Sequence, residues 1–208
     1  DGPRYLFDRP DGAFPHHSPN PLEAASREAL ATAVRQDGCD LGVIFDGDAD
    51  RVMFVDENGR FARPDLMIAV IAAPFLRREP GACVLHDIRT SRSVTEHLRA
   101  AGARVVTWKV GHAFAKLKMR ELDAVCGGEL AGHYYFRDFF YCDSGELACL
   151  VALGEAAAAR RRGEPFSSLL APLDRYANTG ELNYRVARKS EAVEAVRNAL
   201  LKEAEPLS

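Results

Sequence analysis

Three aspartates at every second position, Asp46, Asp48 and Asp50, followed directly by Arg51, are the residues of this chain best arranged for chemistry. The segment reads Asp46-Gly47-Asp48-Ala49-Asp50-Arg51. If its backbone is extended, alternate side chains fall on one side and the three carboxylates converge. Carboxylates crowded together raise one another's pKa unless a cation shares the space. A donor set made only of oxygen favours a hard ion, Mg2+ or Ca2+, and three ligands leave room for water or a phosphate oxygen, as Mg2+ prefers. A solvated acidic turn is the plain alternative. An EF-hand is another, because Asp46, Asp48, Asp50 and Glu57 fit its ligand spacing. That loop needs glycine at its sixth position, where this chain has Arg51, and a strand-like run crosses its second half.

The elements that must position this loop are two short apolar runs, Leu41-Gly42-Val43-Ile44-Phe45 before it and Val52-Met53-Phe54-Val55 after it. Both are rich in β-branched and aromatic residues and predict buried strands. Upstream, Asn20, Pro21 and Glu23 are suited to the cap and first turn of a helix whose apolar face stops at Gly38. Downstream, Asn58-Gly59 predicts a tight hairpin turn. A helix over residues 65–77 follows, apolar along most of its length, which Pro74 should kink or shorten. After Glu79-Pro80-Gly81, strands at 84–85, 104–108, 124–126 and 134–136 alternate with helices at about 91–101, 113–121 and 144–161. That alternation implies a parallel α/β sheet with ligands at its carboxyl ends. A short helix at 166–173, a linker near Asn178-Thr179-Gly180, a strand at 181–186 and an amphipathic helix at 191–204 complete the expected order.

Composition excludes several classes. At 208 residues the chain can bury a real core. A net charge of -3 gives nucleic-acid binding no electrostatic support, and Arg160-Arg161-Arg162 reads as a solvated helix end. Five cysteines, with no C-x-x-C pair, argue against a disulfide framework and fit a reducing cytoplasm. No signal peptide or membrane span is expected from the polar start and the absence of a long apolar run.

Five segments occur in a telling order: Phe14-Pro15, Pro19-Asn20-Pro21, residues 46–51, Lys109-Val110-Gly111-His112, and Gly128-Glu129-Leu130-Ala131-Gly132-His133. This order resembles the α-D-phosphohexomutases, the phosphomannomutase/phosphoglucomutase superfamily, from about residue 11 to about residue 200. The run Tyr135-Phe136-Arg137-Asp138-Phe139-Phe140-Tyr141-Cys142-Asp143-Ser144-Gly145 looks most like the phosphomannomutase branch. The resemblance implies two Rossmann-like α/β domains with mixed or parallel sheets and the start of a small α+β domain. On this basis residues 1–79 are part of the second family domain, 80–177 the third, and 178–208 the beginning of the fourth. The phosphoserine loop and the distal phosphate grip would lie outside the chain. Ser18 superficially looks like that serine, but sits where the family has a second-domain loop.

The resemblance also implies roles. Asp46, Asp48 and Asp50 match Mg2+ ligands, and Arg51 matches a residue that steadies phosphoryl oxygens, charge balance being the alternative. Ala49 stands where the family often has glycine, so that backbone position is expected to avoid positive φ. Arg89 matches a Lys or Arg near the sugar phosphate; a surface arginine is the alternative. His112 matches an active-site histidine able to carry a proton, and otherwise would be a helix-end residue. Glu129 and His133 match the sugar-binding loop, with Glu129 accepting from two vicinal hydroxyls, against the alternative of a solvated turn. Ala131 replaces a frequent serine and removes one hydroxyl contact.

The expected function is therefore phosphomannomutase-like, interconverting hexose 6-phosphate and hexose 1-phosphate through a bisphosphate in the intact enzyme. Phosphoglucomutase is the second reading. The third is a non-catalytic metal and sugar-phosphate module, and the chain alone is expected to lack turnover. The expected partners are hexose phosphates and the remaining domains of the full-length chain.

Overall fold

The computed structural model describes residues 2–178, 180 and 184–203. The chain divides into two compact units, Asp1–Tyr176 and Ala177–Ser208. The division expected near residue 79 lies inside the first unit, where one apolar core runs from Val52 and Phe54 through Leu66–Ala72 to Phe136 and Ala152.

Helix α1 (Ala24–Asp37) begins later than expected. Asn20 does not cap it: its Oδ1 accepts the Leu22 N–H at 3.2 Å and its carbonyl the Glu23 N–H at 3.2 Å, closing a separate turn that leaves the cap position to Glu23. Such short-range bonds compete with helix entry. Gly38 ends the helix, and its N–H returns to the Val34 carbonyl. Strand β1 (Leu41–Phe45) pairs antiparallel with β2 (Val52–Asp56), Phe45 lying opposite Val52, and the edge strand β3 (Phe61–Ala62) follows the expected turn. Glu57 turns away from the acidic loop, accepting the Ser167 N–H at 3.0 Å.

Helix α2 (Pro64–Arg78) starts on a proline and continues past Pro74 for a further turn. The expected shortening does not occur. Most of its residues are buried, and packing of that kind outweighs one lost backbone bond. Beyond it come β4 (Cys83–Asp87), α3 (Arg92–Ala100), β5 (Arg104–Trp108), α4 (His112–Leu122), β6 (Cys126–Gly128), β7 (Tyr134–Phe136), β8 (Cys142–Asp143) and α5 (Gly145–Arg161). Ser91 caps α3 and Ser144 caps α5, each accepting a backbone N–H. The sheet order is β5-β4-β6-β7-β8. Only β5, β4 and β6 are parallel; β7 and β8 run antiparallel. The sheet is thus mixed, within the mixed or parallel form expected. The connections that return to β7 and β8 are too short for a crossover helix. A short helix, α6 (Ser167–Leu170), closes the first unit.

The second unit contains α7 (Lys189–Glu203). Of the strand expected at 181–186, residues 181–183 lie outside the described residues and 184–186 are not in a strand. No helix among the described residues is long and apolar enough to cross a membrane.

His86, 2% exposed at the centre of β4, ties the sheet to α3. Its Nδ1 lies 2.9 Å from the Asp87 carbonyl and its Nε2 2.8 Å from the Thr95 hydroxyl. A carbonyl only accepts, so Nδ1 carries the proton and Nε2 accepts from Thr95, which is the neutral imidazole. Burial holds its pKa below the usual value. The neutral ring's contribution to stability is therefore complete above the unfolded pKa of about 6.5 and is lost as pH falls below it. Lowering pH from 7.5 to 5.5 should reduce Tm more in the native chain than in His86→Gln, measured by thermal unfolding; equal losses would contradict this account.

Candidate functional site

The acidic loop is not extended. Asp46 follows β1, its carbonyl accepts the Ala49 N–H at 3.3 Å, and its N–H donates to the Arg51 carbonyl at 3.3 Å. The Asp46 carboxylate closes the turn, accepting the Arg51 N–H at 3.1 Å and Nε at 2.7 Å. This turn, rather than strand alternation, brings one oxygen each of Asp46, Asp48 and Asp50 within 4.8 Å of one another. Closing it puts Ala49 at φ +60, so the expectation that this position avoids positive φ is corrected. Burial raises the Asp50 pKa, and the Asp46, Asp48 and Asp143 carboxylates add to that while His133 opposes it. A crowded, all-oxygen triad with one well-exposed member suits Mg2+ with open coordination positions. Among the described residues, the terminal nitrogens of Arg51 have no hydrogen-bond partner, so they are free for an anion.

The loop at 128–133 is fastened to this turn through the backbone. Val52 N–H donates to the Gly132 carbonyl at 3.2 Å, and Arg51 and His133 form an isolated antiparallel bridge. Gly132 has φ +89, and a Cβ there would meet Met53 Cε at 2.5 Å. On the far side, a Cβ on Gly145 would meet the Ala49 carbonyl at 2.5 Å, so the start of α5 braces the turn at contact distance. His133 Nε2 comes within 3.4 Å of Asp50 Oδ2, which joins the two loops through side chains as well.

Glu129 is 3% exposed, not solvated. Its Oε1 accepts the Gly111 N–H at 3.0 Å, tying its loop to the start of α4. His112 opens α4 without a side-chain cap bond, and its ring lies parallel to that of His133, 5.8 Å between centroids. Arg89 is held by Asp87, whose Oδ2 accepts its Nε at 3.0 Å and Nη2 at 2.7 Å. The same oxygen accepts the Leu130 N–H at 3.2 Å, so Arg89 stands against the 128–133 loop. The structure thus gathers Glu129, His112 and Arg89 around one loop and joins that loop to the aspartates. Among the described residues, no hydrogen bond or ion pair links Arg89 or His112 to Asp46, Asp48 or Asp50 directly.

Residues 63–176 match the family model described as phosphoglucomutase/phosphomannomutase, alpha/beta/alpha domain III, and residues 4–59 match that of domain II. The chain belongs to the phosphoglucomutase/phosphomannomutase family. It is 40% identical over 209 residues to a phosphomannomutase of Escherichia coli, covering 96% of this chain and 43% of that protein. It is 39% identical over 192 residues to a protein named phosphohexose mutases from Xanthomonas campestris, covering 92% of this chain and 42% of that one. A solved phosphoglucomutase/phosphomannomutase family protein from Burkholderia thailandensis superposes with a TM-score of 0.76 at 32% identity, over 83% of this chain and 37% of that chain. The chain therefore spans about two-fifths of the length of the curated relatives it matches.

Sequence reasoning missed two buried carboxylates in this chain. Asp87, 1% exposed, is the node between Arg89 and Leu130. Its place at the carboxyl end of a parallel strand was a usable signal. Asp143 lies beside Asp50 and His133 and pairs with Lys116 at 2.7 Å. Nothing local marked it, because its partners come from other elements.

Ala49 gives a direct test of the turn. Left-handed backbone costs a residue with a Cβ roughly 1–2 kcal/mol, and glycine's extra unfolded-state freedom returns about 0.5–1 kcal/mol of that. Ala49→Gly should accordingly stabilise the chain by about 0.5–1 kcal/mol in denaturant unfolding. A neutral or destabilising result would mean the turn adopts another conformation.

Proposed function

We propose that this chain forms the metal-binding and sugar-binding part of a phosphohexomutase that interconverts hexose 6-phosphate and hexose 1-phosphate through a bisphosphate, with mannose preferred. The observation that carries this reading is the direct fastening of the acidic turn to the 128–133 loop, through Val52–Gly132 and Asp50–His133. Phosphoryl transfer asks little covalent chemistry of the protein; it needs positioning and charge stabilisation. Mg2+ held by Asp46, Asp48 and Asp50 would supply charge neutralisation for the phosphoryl group in flight. Arg51, clamped by Asp46 through Nε, presents its terminal nitrogens to the phosphoryl oxygens. Arg89, oriented by Asp87, takes the sugar's other phosphate.

Glu129 grips two neighbouring ring hydroxyls, a feature shared by both orientations of a bisphosphate. Oε1 already accepts from Gly111, which fixes the carboxylate's angle and leaves Oε2 and the remaining lone pairs for the sugar. His133 contributes to the same subsite, and His112, stacked on it, carries a proton to or from the reacting hydroxyl. The mannose preference is supported by the name of the Escherichia coli relative, while the family name covers glucose as well. Five unpaired cysteines support a reducing, cytoplasmic setting.

Protein expressed from the full reading frame should convert mannose 1-phosphate to mannose 6-phosphate in a Mg2+-dependent assay; faster conversion of glucose 1-phosphate would overturn the mannose preference, and no mutase turnover with either would overturn the reading. In that protein Glu129→Gln should lose about 1.5–3 kcal/mol of transition-state binding, roughly ten- to hundred-fold in kcat/KM, with Mg2+ affinity unchanged. Asp48→Asn should do the reverse at the first step, weakening Mg2+ by on the order of tenfold, since ligand charge sets affinity at such sites. If calorimetry found that Glu129→Gln abolished Mg2+ binding, the division of labour between the two loops would be wrong.

A further inference from the structure

Beside the all-oxygen triad lies a second group of ligand atoms with a different chemistry. We propose that Asp50, His133 and Asp143 form a cation site for a first-row divalent transition metal, of which Zn2+ is the probe. The proposal stands on donor geometry and does not depend on the mutase reading.

One ligand atom from each of the three residues lies within 4.8 Å of the other two. His133 Nε2 and Asp50 Oδ2 are 3.4 Å apart. Two ligands of a tetrahedral zinc, with bonds near 2.1 Å, are separated by about 3.4 Å. That spacing is long for a hydrogen bond and right for a shared metal.

The independent observation is Asp143. Its side chain is only 8% exposed, Lys116 Nζ occupies Oδ1 at 2.7 Å, and Oδ2 has no hydrogen-bond partner among the described residues. A buried carboxylate oxygen without a partner is costly, and a cation answers that cost. His133 Nδ1 is likewise unpartnered and faces Glu129 Oε2 at 3.7 Å. With Nε2 on a metal, Nδ1 carries the proton, and a small closure onto Glu129 completes the carboxylate–imidazole–metal arrangement that steadies histidine ligands. One imidazole with two carboxylates selects against Mg2+ and Ca2+ and for a transition metal. Lys116 opposes the ion by its charge and so limits its affinity. Because Asp50 belongs to both sets, a metal here also draws a ligand away from the acidic turn.

The test is a calorimetric Zn2+ titration of this chain in the presence of Mg2+, with Co2+ absorption as a second readout. Asp143→Asn and His133→Gln should each weaken Zn2+ by about tenfold or more and reduce the Co2+ d–d absorption of the bound ion. Asp48→Asn should not weaken Zn2+, because Asp48 is not in this donor set and looser Mg2+ leaves Asp50 free. Lys116→Met should tighten Zn2+. It decides the matter if circular dichroism shows that the Asp143 variant does not fold, with unchanged or weaker binding overturning the proposal. Equal losses in Asp48→Asn and Asp143→Asn would put the ion in the acidic turn and overturn it, as would an Asp143→Asn variant that folds and binds Zn2+ normally.

Discussion

The Val52 N–H to Gly132 carbonyl bond, 3.2 Å long, is the contact on which the rest of the site depends. It joins the strand leaving the acidic turn to the loop between β6 and β7, and it makes two sheets share one edge of a site. Side chains alone could not do this, since long polar side chains have too much rotational freedom to hold loops in register. The approach relies on the positive φ of Gly132 and on Gly145 having no Cβ to meet the Ala49 carbonyl. Two glycines remote in the sequence from the three aspartates therefore help to set their position.

Charge explains why this close packing is a poised arrangement and not simply a stable one. Asp50 is pushed toward its neutral form by burial and by Asp46, Asp48 and Asp143, with His133 the nearby counterweight. Burial, together with the Glu129 and Asp143 carboxylates, also pushes the Tyr135 phenol up, so that it stays a neutral ring alongside His133. A region with this many crowded carboxylates is organised to gain when a cation arrives, and a bound cation then dominates the local electrostatics. Arg51 and Arg89 reach the region already clamped by Asp46 and Asp87, so their orientation costs little entropy when an anion binds.

What the sequence revealed follows a physical rule. The acidic turn, its flanking strands and the Asn58-Gly59 hairpin were legible because their determinants are neighbours in the chain. The fastening of loop 128–133 to the turn was not, because it depends on backbone groups some eighty residues apart. Ala49 was misjudged for a related reason: residue type argues against positive φ, yet the Asp46 carboxylate and carbonyl close the turn around it. Asn20 was misread as a cap because its cap-like bond to the Leu22 N–H closes a separate turn ahead of α1. Asp143 could not be found at all, since it acquires meaning only from Asp50, His133 and Lys116 on separate elements.

The central claim is that the acidic turn and the 128–133 loop are two halves of one site. Paramagnetic Mn2+ tests this without any need for turnover. With Mn2+ on the aspartates, the 31P resonance of a bound hexose phosphate should broaden strongly, since relaxation falls steeply with distance from the ion. At sub-saturating Mn2+ the broadening should fall markedly in Asp48→Asn while sugar binding persists. A hexose phosphate that binds the native chain, as shown by saturation transfer from protein to sugar protons, yet keeps a sharp 31P line with Mn2+ present would show that the two loops serve separate sites.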